Sequence, residues 1–200
     1  FTHAMFMATN GSDARYGALG RDGVSCVVCH RISPEDLGKP ETFTGEFKVV
    51  SPGIVHGPFD QPKAYAMENA VGIKPVQNPV LSEARMCGTC HVVRTPILEP
   101  GRRYTPEQMA RAPKSHEQTT YLEWQNSIYQ NEREPIQRAQ VKTCQTCHMP
   151  QTYEGQALQF KIANIEDNHY PAVPHRAPDA QITLAERTPF SRHTLAGINQ

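Results

Sequence analysis

The chain has 200 residues, only 38% of them hydrophobic, with 17 prolines and 13 glycines. It is too polar and too rich in turn residues to bury a large core of its own, and its length suits one domain or two small ones. Its 20 basic and 20 acidic residues cancel, the cations are scattered, and no apolar run approaches the ~20 residues of a membrane-spanning helix.

In chain order, the first 25 residues carry His3, an apolar cluster of Met5, Phe6 and Met7, and a Gly-rich approach from Gly17 to Gly23. Cys26-Val27-Val28-Cys29-His30 follows, and then coil punctuated by Pro and Gly. Within that coil Phe43 to Val50 alternates as one short strand. His56-Gly57-Pro58-Phe59 reads as a turn carrying a histidine. Ser82-Glu83-Ala84-Arg85 starts a short helix that runs into Cys87-Gly88-Thr89-Cys90-His91.

Thr105-Pro106-Glu107-Gln108 is a helix start, with a capping Thr, Pro at the first helical position and Gln three residues after the cap. Ser115 to Gln118 repeats that logic and predicts the main helix over His116 to Asn131. Its Tyr121, Trp124 and Ile128 recur at helical spacing beside Leu122 and Tyr129, a stripe for plain packing. Cys144-Gln145-Thr146-Cys147-His148 comes next, then a second short strand over Gln156 to Ile165. Beyond Asp167 the sequence is irregular and Pro-rich up to Arg192-His193-Thr194-Leu195-Ala196-Gly197-Ile198-Asn199. No boundary divides the chain, so residues 1–200 read as a single module.

The pentapeptide C-x-x-C-H thus occurs three times. It is the attachment signal of c-type haem: two thiols add across the two vinyl groups of one porphyrin, and the following histidine supplies the proximal nitrogen to iron. A lone C-x-x-C could be a redox dithiol or half a zinc site. Three of them cannot pair into complete four-cysteine zinc sites, and dithiol chemistry asks for no histidine after the second cysteine. With 9 histidines in 200 residues, chance would place one after all three motifs roughly once in ten thousand. The reading assigns three covalent haems c to Cys26 and Cys29, Cys87 and Cys90, and Cys144 and Cys147, with His30, His91 and His148 as proximal ligands.

Loaded with three haems, the chain would carry about −3 when oxidised and −6 when reduced. That balance argues against nucleic acid as a partner. Three porphyrins would also supply the core the polypeptide lacks. The expected fold is therefore mainly α with extensive coil, a haem-cored multihaem cytochrome c with short helices and at most a small β-hairpin. Covalent haem attachment takes place outside the cytoplasm, so a periplasmic or extracellular location is expected. The chain opens on Phe1 without a leader and reads as mature or trimmed.

What fills the sixth position of each iron decides its chemistry. Nine histidines minus three proximal ones leave six: His3, His56, His116, His169, His175 and His193. Three suffice if every iron takes two histidines. His56 sits in a tight turn between the first two motifs. His3 precedes the first motif, and the iron it serves can lie in another chain. His116 stands at the first turn of a helix, and His169 and His175 lie in a Pro-rich loop. Met149 and Met86 adjoin motif residues and cannot reach the opposite face of the same haem.

Gly23-Val24-Ser25, Met67-Glu68-Asn69-Ala70-Val71-Gly72-Ile73 and Cys144-Gln145-Thr146-Cys147-His148-Met149-Pro150 resemble segments of large multihaem c-type cytochromes. The closing Arg192-His193-x-Leu195-x-Gly197-x-Asn199 is similar to a segment of that group whose histidine is a distal ligand. The broader likeness is to the tetrahaem electron carriers of nitrification and the hydroxylamine-oxidoreductase-like proteins. It implies closely stacked haems, bis-histidine ligation with His193 among the ligands, and a role as an electron conduit. Members of that group usually carry more than three haems. The chain therefore reads as a segment of a longer protein, or as one unit of an assembly whose neighbours exchange ligands.

The expected function is electron transfer along three haems, with other redox proteins or cytochrome subunits as partners. The competing class is an oxidoreductase with one open iron acting on a small nitrogen or sulfur compound. Surplus histidines weigh against it, and no C-x-x-C-K variant is present. A subunit of a conductive filament or larger complex differs from the first reading only in its partners.

Overall fold

The computed structural model describes residues 24–62, 64–164 and 183–195. Helix α1 is Cys26–His30, α2 Tyr65–Val71, α3 Ala84–Gly88, α4 Pro106–Arg111, α5 Thr120–Gln125 and α6 Cys144–His148. The strands are β1 Ile54–Gly57, β2 Lys74–Gln77, β3 Val93–Pro96, β4 Lys114–Gln118, β5 Thr152–Tyr153, β6 Gln156–Ala157, β7 Phe160–Asn164 and β8 Thr183–Arg187. They form four two-stranded pairs, β1 with β2 in parallel and the other three antiparallel.

The expectation of a mainly α, haem-cored fold with at most one small hairpin is corrected here. Among the described residues strands are almost as abundant as α-helix, and the longest helix has 7 residues. The cause is local. Helix α2 stops at Gly72, which takes a left-handed φ of 68°, and Pro113 follows the last residue of α4 and its cap. Extended stretches between such stops satisfy their backbone groups in pairs.

Protein side chains also build two apolar clusters of their own. Phe43, Ala84, Val92 and Tyr121 form one, with Leu122, Trp124 and Cys144 packed against it. Ile32, Leu37 and Val80 form the other, flanked by Phe47, Leu81 and Met86. Both therefore border the second C-x-x-C-H.

Several local expectations change as well. Phe43 to Val50 is no strand: residues Pro40–Gly45 form a 3-10 turn, and Thr44 and Gly45 take φ of 66° and 79°. Val49 keeps only an isolated bridge to Ile32. His56 lies in strand β1 rather than in a turn, because Ile54–Gly57 finds a partner in Lys74–Gln77. The helix expected over His116 to Asn131 shrinks to Thr120–Gln125. Ser115 and His116 instead pair with Thr95 and Arg94 across β3 and β4, so the cap-like residues there cap nothing.

Helix α3 begins at Ala84, two residues after Ser82 where the sequence starts it, following an extended Glu83. The capping box at Thr105 forms with both of its bonds: Gln108 N–H donates to Thr105 Oγ1 at 3.3 Å and Thr105 N–H to Gln108 Oε1 at 3.0 Å. The strand expected over Gln156 to Ile165 is split into β6 and β7. Strand β8 arises where irregular chain was expected. His3, His169 and His175 lie outside the described residues.

Candidate functional site

Each C-x-x-C-H occupies about one helical turn, so its two cysteines and its histidine project from neighbouring positions. The first and third motifs coincide with α1 and α6, and the second runs from the end of α3 into a turn. None of the six cysteines is in a disulfide. Cys26, Cys90 and Cys147 are exposed, and Cys29, Cys87 and Cys144 are half-buried.

The spacer residues between the cysteines dock the motifs. Gly88 lies against the ring of Tyr121, where a Cβ would come within 2.6 Å of ring carbons. Thr89 is fully buried, and its hydroxyl donates to the Thr42 carbonyl. In the third motif Gln145 is buried and donates from Nε2 to the carbonyls of Leu81 at 3.0 Å and Glu83 at 2.8 Å. That side chain ties α6 to the segment leading into α3.

The motifs converge as a result. The Cys87 thiol hydrogen-bonds the Cys144 sulfur, and this bond together with burial holds Cys87 well above the ordinary thiol range. Accepting the bond lowers Cys144. Although Cys90 is exposed as a residue, partial desolvation of its sulfur raises it, and the nearby Cys29 adds to that. Burial likewise raises Cys29 itself. Cys87 thus lies within electrostatic reach of one sulfur from each of the other two motifs, Cys29 and Cys144.

His30 is held from two directions. Its Nδ1–H donates to the His56 carbonyl at 2.6 Å, which leaves Nε2 as the nitrogen for a metal. Its ring faces His193, with centroids 6.2 Å apart and planes inclined by 24°.

His193 is brought there by the segment before it. Phe190 stacks on Phe59 at 6.3 Å, and the Arg187 guanidinium lies over the same ring at 5.5 Å. Arg187 also donates to the Asp60 carbonyl at 3.1 Å. Phe190 N–H reaches the Leu158 carbonyl at 3.2 Å and Arg192 N–H the Pro150 carbonyl at 3.0 Å. Arg192 itself lies over the ring of Tyr153 at 5.0 Å.

The other sequence candidates fall elsewhere. The His56 ring is buried, 7% exposed. His116 is exposed in β4 opposite Arg94. His91 and His148 end the second and third motifs. The docking roles of Gly88, Thr89 and Gln145 escaped the sequence reading, which treats those spacers as interchangeable. Their difference from one motif to the next was the available signal.

The donor set fits a c-type haem: paired free thiols one turn apart, and a histidine whose Nδ1 is already bonded. Val24 and Val27, 63% and 54% exposed around the first motif, leave an apolar surface that no described side chain covers. Among the described residues no three His, Cys, Asp or Glu side chains gather as a metal-holding group. A haem iron asks the protein for two ligands only, since the porphyrin supplies the rest. Compared with known proteins, the chain matches no family model, no curated protein and no solved structure.

Proposed function

We propose that this chain holds three covalent haems c and serves in electron transfer. The observation that carries the reading is the threefold C-x-x-C-H, each on about one helical turn, with His30 Nε2 left free by the Nδ1 bond to the His56 carbonyl. His193, stacked beside His30 at 6.2 Å, is the candidate to close the same iron. A closed iron cycles between oxidation states without binding substrate. Cys26 and Cys29 would hold the first haem, Cys87 and Cys90 the second, and Cys144 and Cys147 the third, with His30, His91 and His148 as proximal ligands. When bound, haem c supplies the one-electron chemistry, and the polypeptide fixes ligands and limits water.

The contact between Cys87 and Cys144 supports short spacing between the second and third attachment points, as a conduit needs. The proposal carries with it an exported protein, periplasmic or extracellular, that exchanges electrons with other redox proteins or cytochrome subunits. Among the described residues no helix is long and apolar enough to cross a membrane.

Denaturing mass spectrometry of the intact protein tests the cofactor, and His193→Ala tests the ligand. Three added haem masses are expected, with one iron turning high-spin and binding carbon monoxide quickly in the variant. A colourless chain of unmodified mass overturns the reading. A variant that stays fully low-spin with unchanged midpoint potentials reduces the His30–His193 contact to ordinary ring packing.

A further inference from the structure

His56 stands among the sequence candidates for an iron ligand, but its surroundings point to another task. The ring sits in β1 with both nitrogens occupied. Nδ1 lies 3.2 Å from the Ile32 carbonyl; a carbonyl only accepts, so the proton is on Nδ1 and His56 is the Nδ1–H tautomer. Nε2 is then the bare nitrogen, and it faces Asn78 Nδ2 at a long 3.5 Å. Asn78 is itself oriented: its Oδ1 accepts from Val80 N–H at 3.1 Å, and its own N–H donates to the Gly57 carbonyl at 2.8 Å.

The network returns to the first motif from two sides. The His56 carbonyl accepts from His30 Nδ1, and the His56 ring donates to Ile32, two residues past His30. Ile32 is 2% exposed and belongs to one of the two apolar clusters, so the clamp closes on a rigid point. The parallel pairing of β1 with β2, His56 opposite Val76, sets the direction of the carbonyl.

We propose that His56 is a positioning residue for His30 rather than an iron ligand. Its ring, locked between Ile32 and Asn78, aims its own carbonyl at His30 Nδ1. A metal-bound imidazole that donates its second N–H to a fixed carbonyl is a stronger donor with a set ring orientation. His56 therefore keeps the potential of the first haem low. This inference rests on the haem reading above.

Two substitutions decide the matter in the haem-loaded protein. His56→Asn keeps an N–H donor near the place of Nδ1 but offers no imidazole to iron. His56→Leu removes both. The ferric spin state is read by visible and EPR spectroscopy, and the three midpoint potentials by titration. His56→Asn is expected to remain fully low-spin with midpoints near wild type. His56→Leu is expected to remain low-spin while one midpoint moves upward.

Should His56→Leu fail to fold, Asn78→Ala loosens the same clamp and is expected to raise the same midpoint. A high-spin iron in His56→Asn makes His56 a ligand and overturns the inference. So does an unchanged set of midpoints in His56→Leu or, in its place, Asn78→Ala. If mass spectrometry finds no haem at all, it is the cofactor reading that has failed, and this inference falls with it.

Discussion

Gly88 and Tyr121 are in such close contact that a single added methyl has no room: an ideal Cβ at Gly88 falls 2.6 Å from two ring carbons. Tyr121 cannot retreat. It is 1% exposed, stacked on Trp124 at 5.9 Å and edge-on to Phe43 at 6.2 Å. The one residue of the second motif without a side chain is thus the one against which the aromatic cluster closes.

Gly88→Ala is therefore expected to destabilise the fold by about 1–3 kcal/mol, the usual cost of overpacking a tight core. Denaturant or thermal unfolding would register it. Thr146→Ala, at the exposed second spacer of the third motif, should be nearly neutral in the same assay. Equal effects at both positions would contradict the contact.

Tyr121 also links the cluster to pH. Its hydroxyl donates to Glu132 Oε2 at 2.5 Å and accepts from Gln125 Nε2 at 2.9 Å. Burial, followed by the Glu132 carboxylate, pushes its pKa well above that of a free tyrosine. The unfolded chain loses this proton near pH 10 and the folded chain does not, so stability should fall as pH rises above about 10. Ultraviolet titration should find one tyrosine silent until the chain unfolds. Tyr121→Phe should lose part of that alkaline decline, at a cost of about 1–3 kcal/mol at neutral pH from the unpaired partners.

The placement of His193 depends on a docked segment rather than on a regular element. Phe190→Ala removes the ring stacked on Phe59, while Arg187 on Asp60, Arg192 over Tyr153 and the Gln151–Ser191 bond still hold the segment. A partial high-spin population at one iron and faster carbon monoxide binding are expected, milder than in His193→Ala. A Phe190→Leu variant, which keeps apolar bulk, should restore most of the low-spin signal. No change in either variant would mean that His193 is held by other contacts.

How much was legible beforehand follows from the range over which each signal acts. The three C-x-x-C-H motifs and the capping box at Thr105 are complete within five residues or fewer, and their chemistry depends on neighbours in sequence. Sequence alone therefore determined the six thiols, the histidine that follows each pair and the start of α4. The expected helix over His116 to Asn131 failed for the opposite reason. Ser115 has the residue type of a cap, but Thr95 and Arg94 lie across from Ser115 and His116, and strand pairing satisfied that backbone first.

His56 shows the same limit within the candidate site. A histidine before Gly-Pro carries no sign of whether its ring or its carbonyl is the functional group. Pairing with a strand about twenty residues later decided that the carbonyl meets His30. The meeting of His30 and His193 likewise depends on Phe59 and Arg187, 128 residues apart in number and joined over one aromatic face. Local patterns named the reactive atoms, and only tertiary packing decided which of them face each other, because that choice is made by contacts no short window of sequence contains.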